Sequence, residues 1–315
     1  MSTLTRPTKE NFSTWLTTFP SLFQKSLEAS WDRLYDRLKE AQFHRAELET
    51  ISMLRYATSS GKRLRPLLVA LSFFTVKQKR EGKEAVVTDR EERLLLGLCR
   101  ALELVHSYSL VHDDLPAMDN DRYRRGQLTV HARFGEAQGI LTGDCLLNYA
   151  YEELFQLLGE EGDSSWRERL LQAGRDLSHG AGIFGMISGQ VMDLYGEEAK
   201  LTEKQVRDMV LRKTCALFVA AVSMGADLAG ASKEQKACLA RFAEKWGMAF
   251  QLQDDLLDQE DDDRIHKQTL LSGKSQEEAE EYIRQLNEQA LQQITSAFDP
   301  TIFQLFMEKL LHRNY

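Results

Sequence analysis

Residues 94–119 read LLLGLCRALELVHSYSLVHDDLPAMD, and this stretch decides the fold. Leu95, Leu98, Leu102, Val105 and Tyr108 recur at helical spacing, which predicts a long buried helix over about 91–112. Pro116 cannot continue that helix and restricts Leu115, so Asp113 and Asp114 fall at its end. A helix C-terminus carries partial negative charge and disfavours acids there by about 0.3–1 kcal/mol each. Far downstream, Asp254-Asp255-Leu256-Leu257-Asp258 repeats the arrangement. Asp254 and Asp258 stand at i, i+4 on one helical face, where like charges repel. One pair of adjacent aspartates is ordinarily a solvated face or a cap. Two such clusters bordered by Leu, Val and Phe are harder to dismiss, and a divalent cation relieves both. Carboxylate oxygens suit Mg2+, which keeps several waters and shares phosphate oxygens.

Outward from this stretch the chain continues to read as helix. Apolar residues follow helical stripes over about 20–41, 44–58, 67–76, 136–158, 165–188, 203–228, 232–258, 275–296 and 300–312. Residues 77–90 and 115–135 read as loops. Strand-type alternation never runs for more than a few residues, and no repeat of fixed period stands out. Five prolines and 19 glycines in 315 residues leave room for long uninterrupted elements. The expectation is an all-α fold with one domain over 19–315, behind a polar lead-in at 1–18. A net charge of −8 and the lack of a basic stripe argue against nucleic-acid binding. Cys99, Cys145, Cys215 and Cys238 are widely spaced without a CxxC pair, which favours reduced thiols over a disulfide framework or thiolate metal site. The N-terminus MSTLTRPTKENFSTW lacks a signal pattern, and no apolar run approaches the roughly 20 residues of a membrane span. A soluble cytoplasmic protein without membrane insertion is expected.

Basic residues complete the picture. Lys62 and Arg65 flank a Gly- and Pro-punctuated helix start, where Gly61 lets a backbone N–H approach an anion. Arg124 and Arg125 follow the first acidic cluster, and Lys213-Thr214 opens an otherwise apolar run. Arg offers planar bidentate phosphate contacts and Lys a point charge. Singly, Lys62 and Arg65 are a common helix-start pattern and the arginine pair an ordinary loop.

The stretches GKRLRP, HSYSLVHDDLPAMDNDRYRRG, FGEAQGILTGDCLL, GQVMDL, RKTCALF and GMAFQLQDDLLD, in this order, resemble the short-chain trans-prenyl diphosphate synthase family. Within it they are most similar to the bacterial farnesyl diphosphate synthase group. The resemblance implies a bundle of long helices around a central cavity, usually a homodimer, with the two Asp motifs facing each other across the cavity mouth. It implies condensation of isopentenyl diphosphate with dimethylallyl and then geranyl diphosphate. Several Mg2+ ions would be held by Asp113, Asp119 and Asp254, with Asp114, Asp255 and Asp258 in support. Arg124 and Lys213 would stabilise the departing diphosphate, and Thr214 and Gln251 would face the allylic cation. Gly61, Lys62, Arg65 and Arg125 would hold isopentenyl diphosphate. Arg313 matches a basic C-terminal tail, or is a plain exposed terminal arginine. Tyr108, five residues before Asp113, takes the place of the chain-length floor in enzymes that stop at fifteen carbons. It equally suits a core tyrosine, and the helical wheel puts Ser109 nearer beneath Asp113.

Three departures stand out. Phe74 occupies a position where the resemblance places a histidine for isopentenyl diphosphate. About ten residues are missing after Asp258 with the usual phosphate lysine, leaving Lys267 or Arg264 as substitutes. Asn120 replaces an aspartate. These departures leave two alternatives: a geranyl or geranylgeranyl diphosphate synthase, or a weakly active regulatory family member.

Overall fold

A computed structural model describes residues 4–82, 86–258 and 269–311, without the side chains of Asp258 and Leu311. Lys267, Arg313 and the Asp258 side chain therefore lie outside the described residues. The described residues form an all-α protein: α1 (Phe12–Glu40), α2 (Arg45–Thr58), α3 (Leu64–Glu81), α4 (Asp89–Asp113), α5 (Val130–Phe134), α6 (Glu136–Glu160), α7 (Ser164–Ala181), α8 (Met186–Glu198), α9 (Glu203–Val210), α10 (Ala216–Leu228), α11 (Lys233–Asp258), α12 (Gln276–Ile294) and α13 (Thr301–Leu311). A π-helical turn, Leu211–Cys215, joins α9 to α10. The strands described are β1 (Tyr123–Arg124) and β2 (Gln127–Leu128), an antiparallel pair inside the expected loop.

The helices group into two compact units, one mainly Thr14–Leu67 with Thr88–Asp163, the other mainly Leu68–Val87 with Ser164–Tyr315. In the first, α4 packs along α6. Leu94, Leu95, Leu98, Leu102 and Val105 have no exposure, as the helical stripe requires. Gly97 permits the approach, because a Cβ there would lie 2.5 Å from the Leu157 side chain. Arg100 is buried in this interface and bonds Glu153 at 2.6 Å, which also accepts from Ser30 of α1 at 2.8 Å. Thr88 caps α4 reciprocally with Glu91.

In the second unit α10 lies between α7 and α11, and α11 packs on α12. Phe218, Phe242, Trp246, Phe303 and Phe306 interlock there, with Phe242 and Phe303 edge-to-face at 4.7 Å. The helix expected over 165–188 divides into α7 and α8. Gly185 marks the break, where a Cβ would fall 2.1 Å from the Gly180 carbonyl oxygen.

Two further expectations need correction. Helix α1 begins at Phe12, not near Pro20, because Phe12, Trp15, Phe19 and Phe23 form one buried helical stripe. Two helical segments, Asp89–Asp113 and Glu203–Leu228, are long and apolar enough to cross a membrane by length and composition. Their most apolar windows are 83% and 61% buried inside the protein, the setting of core helices. All four cysteines are free thiols, and Cys145 is only partly buried.

Candidate active site

Helix α4 ends at Asp113, with Asp114 as its C-cap. The next residues close a tight turn in which the Asp119 N–H donates to the Asp113 carbonyl at 2.9 Å. Asn120 completes it in the left-handed region at φ +53°. Asp113 and Asp119 are half-buried, whereas Asp114 is 3% exposed. Asp114 accepts from Arg124 Nε and Nη2, both at 2.6 Å. Burial pushes the Asp114 carboxyl above the ordinary range, against the hydrogen bond and charge of Arg124. Burial also works against the Arg124 guanidinium, but Asp114 outweighs it and Arg124 lies above its usual value. Asp114 thus anchors the arginine beside the acidic turn.

The β1–β2 hairpin separates the two arginines. Its two-residue turn is Arg125-Gly126, with φ of +52° and +75°, the backbone a tight hairpin needs. Arg124 reaches the acidic turn, while Arg125 Nη1 donates to the Ser60 carbonyl at 3.0 Å. Gly61 lies beneath that guanidinium, and a Cβ on it would meet Arg125 Nη1 at 2.5 Å. Lys62 is exposed and Arg65 half-buried on the same loop and helix start. Arg65 Nη1 lies 3.0 Å from Nε2 of His106 on α4. Burial, with Arg65, Arg125, Arg124 and Arg63 nearby, holds His106 well below the usual imidazole value. Burial, abetted by Arg125 and opposed by Glu103, pushes Arg65 down to about 10.

His106 is a site residue that sequence reasoning missed. Half-buried on an apolar helix, it resembles an ordinary structural histidine, and its partner Arg65 is 41 residues away. Phe74 is a core residue, 3% exposed and edge-on to Phe73 at 5.4 Å. A histidine therefore stands against Arg65 even though position 74 holds none.

Tyr108 is 6% exposed and meets His112 edge-on at 5.9 Å. His112 in turn lies 3.1 Å from the Ile140 carbonyl of α6. Burial first, then Tyr151 and Asp113, push the Tyr108 phenol up to about 12. Ser109 Oγ donates to the His106 carbonyl at 2.9 Å.

The second unit carries its own set. Lys213 and Thr214 lie in the π-turn, an irregularity common at functional sites. Lys213 Nζ bonds Oδ2 of Asp193 on α8 at 2.5 Å. Asp193 is the second residue that sequence reasoning did not single out, although GQVMDL contains it. Thr214 Oγ1 donates to Gln251 Oε1 at 2.9 Å, and Gln251 Nε2 donates to Asp255 Oδ1 at 2.9 Å. Asp254 and Asp255 are half-buried in the last turns of α11. Among the described residues, no three His, Cys, Asp or Glu side chains already gather as a metal site. The donors are hard carboxylate oxygens, which fit an ion completed by water and phosphate oxygens.

Comparison with known proteins decides the family. The polyprenyl synthetase family matches residues 48–276. The farnesyl diphosphate synthase of Geobacillus stearothermophilus is 37% identical over 235 residues, 75% of this chain and 72% of that one. That of Haemophilus influenzae is 35% identical over 246 residues, 76% and 77% of the two chains. The chain belongs to the polyprenyl synthetase family. An FPP/GFPP synthase from Zymomonas mobilis superposes with a TM-score of 0.77 at 30% identity, covering 95% of this chain and all of that one. As a polyprenyl synthetase the protein carries the family's general requirement for a divalent metal. The match spans both carboxylate sets, the Gly61–Arg65 loop and Lys213, so the polar groups gathered in each unit lie within the family region.

Proposed function

We propose that this polyprenyl synthetase makes farnesyl diphosphate, joining isopentenyl diphosphate to dimethylallyl and then geranyl diphosphate. One observation carries the reading. The first unit holds two separate anion-handling groups: the acidic turn with Arg124, and the cluster of Lys62, Arg65, Arg125 and His106. A condensation of two diphosphates needs both, whereas cyclisation of a single diphosphate needs only one.

Asp113, Asp119 and Asp254 would hold Mg2+ with the allylic diphosphate, with Asp114, Asp255 and Asp258 in support. The metal supplies charge neutralisation and a template for the leaving group. Arg124, fixed by Asp114, and Lys213, fixed by Asp193, stabilise the charge that builds on that group as the C–O bond breaks. The Thr214 hydroxyl and Gln251 carbonyl face the allylic cation. Gly61, Lys62, Arg65 and Arg125 hold isopentenyl diphosphate, whose double bond attacks to form the new C–C bond. The released proton leaves with the diphosphate. Tyr108, packed on His112, closes the chain pocket at fifteen carbons. Lys267 remains assigned to a substrate phosphate, and Arg313 to the second diphosphate, on sequence alone.

A homodimer completes the reading. Phe184, Ile187, Val191 and Tyr195 recur along one face of α8 and its lead-in, and each is at least 45% exposed. An apolar stripe of that length favours cover by a second copy.

The decisive experiment incubates purified protein with Mg2+, labelled isopentenyl diphosphate and each allylic diphosphate in turn, then sizes the extracted products. Fifteen-carbon product from dimethylallyl and geranyl diphosphates supports the reading. A ten- or twenty-carbon product, or none, replaces it with one of the alternatives.

A further inference from the structure

Arg63 lies between Lys62 and Arg65, yet its guanidinium is buried, with the side chain 5% exposed. Its backbone is left-handed, at φ +55°, which a non-glycine residue keeps only when its surroundings hold it there. Four acceptors do so. Nη1 donates to Glu103 Oε1 at 2.7 Å and to the Ser60 carbonyl at 3.1 Å. Nη2 donates to Gln24 Oε1 at 2.8 Å and to the Thr58 carbonyl.

These partners belong to three elements. Glu103, itself 5% exposed, stands on α4 three residues before His106, so the two share a helical face. Gln24 belongs to α1. Thr58 and Ser60 frame the loop that presents Gly61 and Lys62, and the Ser60 carbonyl also receives Arg125 at 3.0 Å. One guanidinium thus ties the loop to α4 and α1 and fixes the carbonyl on which Arg125 rests.

We propose that Arg63 is a positioning residue for the isopentenyl diphosphate site. It touches no substrate. It sets the spacing of Gly61, Lys62, Arg65 and Arg125 by clamping their loop to Glu103 and Gln24. The inference rests on the proposed function, in that this cation group takes the isopentenyl diphosphate.

The test is Arg63→Lys in the full chain. Lysine keeps the charge but lacks the planar fork that spans four acceptors. The KM for isopentenyl diphosphate is expected to rise about tenfold, with kcat and the allylic KM within about threefold of wild type. Gln24→Ala removes one acceptor at a half-buried position and decides the matter if Arg63→Lys does not fold. Its isopentenyl KM is expected to rise about threefold, again alone. A parallel fall in kcat and in both affinities with lowered Tm would mark a merely structural ion pair and overturn the inference. An unchanged isopentenyl KM in a folded variant overturns it too. Wild-type protein that does not consume isopentenyl diphosphate sinks the functional reading and this inference together, whereas active wild type with a flat variant KM sinks this inference alone.

Discussion

Gly189→Ala probes the contact that places Lys213. Gly189 and Asp193 are one turn apart on α8, on the face that meets the π-turn. A Cβ on Gly189 would lie 2.1 Å from the Lys213 backbone nitrogen and 2.5 Å from its Cα. Ordinary contact starts near 3.4 Å, so the shortfall is 3.4 Å less 2.1 Å, or 1.3 Å. Both partners are backbone, and no side-chain rotation relieves it. Helix α8 must move off the π-turn, taking Asp193 from the 2.5 Å bond it makes with Lys213. Overpacking of this kind costs about 1–3 kcal/mol, and a misplacement near 1 Å costs about a hundredfold in rate. The expected variant folds with Tm lowered by roughly 5 °C and kcat reduced about a hundredfold. Steady-state kinetics and a thermal melt on one preparation read both. Gly159→Ala is the control, since nothing lies within 4 Å of a Cβ there. If Gly189→Ala kept kcat within about threefold of wild type, close approach of α8 would not be what positions Lys213.

Three further outcomes are expected. Asp113→Asn and Asp254→Asn should each slow turnover about a hundredfold or more while circular dichroism stays native, and near-normal rates would remove them from the metal set. Tyr108→Ala should open the space beside His112 and lengthen the product; unchanged chain length by mass spectrometry would return Tyr108 to a plain core role. His106 should make stability fall on acidification. In the unfolded chain it takes a proton near pH 6.5, which burial and the surrounding arginines deny it in the fold. Its contribution is therefore full above about pH 6.5 and is lost as pH drops toward the depressed folded value. His106→Gln should flatten that loss between about pH 7 and 5 in urea titrations; parallel profiles would show that His106 titrates freely.

Helix α4 was legible because burial, period and stop signal agree over its length. Asp113 and Asp114 fall where Pro116 placed them. Helix α8 was not, since MISGQVMDLYGEE carries two glycines and a serine that weaken a helical reading. Those residues are helical because the contact between Gly189 and Lys213 needs them so, and that contact joins positions 24 residues apart. The start of α1 was hidden by Pro20, a residue more often found at a helix beginning than inside one. At the candidate site, Lys62, Arg65, Arg124 and Arg125 read singly as an ordinary helix start and loop, whereas the carboxylates and Lys213 announced themselves by their apolar flanks. Their holders did not. Asp193, His106 and Glu103 sit in helical stripes like other partly polar core positions, and only the fold brings them to Lys213, Arg65 and Arg63.

Several charges of the candidate site also stand at the unfavourable ends of their helices. Asp113 and Asp114 close α4, and Asp254, Asp255 and Asp258 occupy the last turns of α11, where the helix dipole repels anions. Lys62 and Arg63 precede α3 and Arg65 lies in its first turn, which contains no acid, so cations meet the positive pole. The same α4 has Asp89, Glu91 and Glu92 at its beginning, where acids are stabilising. The sequence therefore does place charge by the dipole where folding alone is at stake. Each reversed set costs about 0.3–1 kcal/mol per charge and can be relieved by a ligand of opposite sign. Asp114 is answered by Arg124 within the first unit. Taken helix by helix, the poles favour a cation at the end of α4, a cation at the end of α11 and an anion at the start of α3.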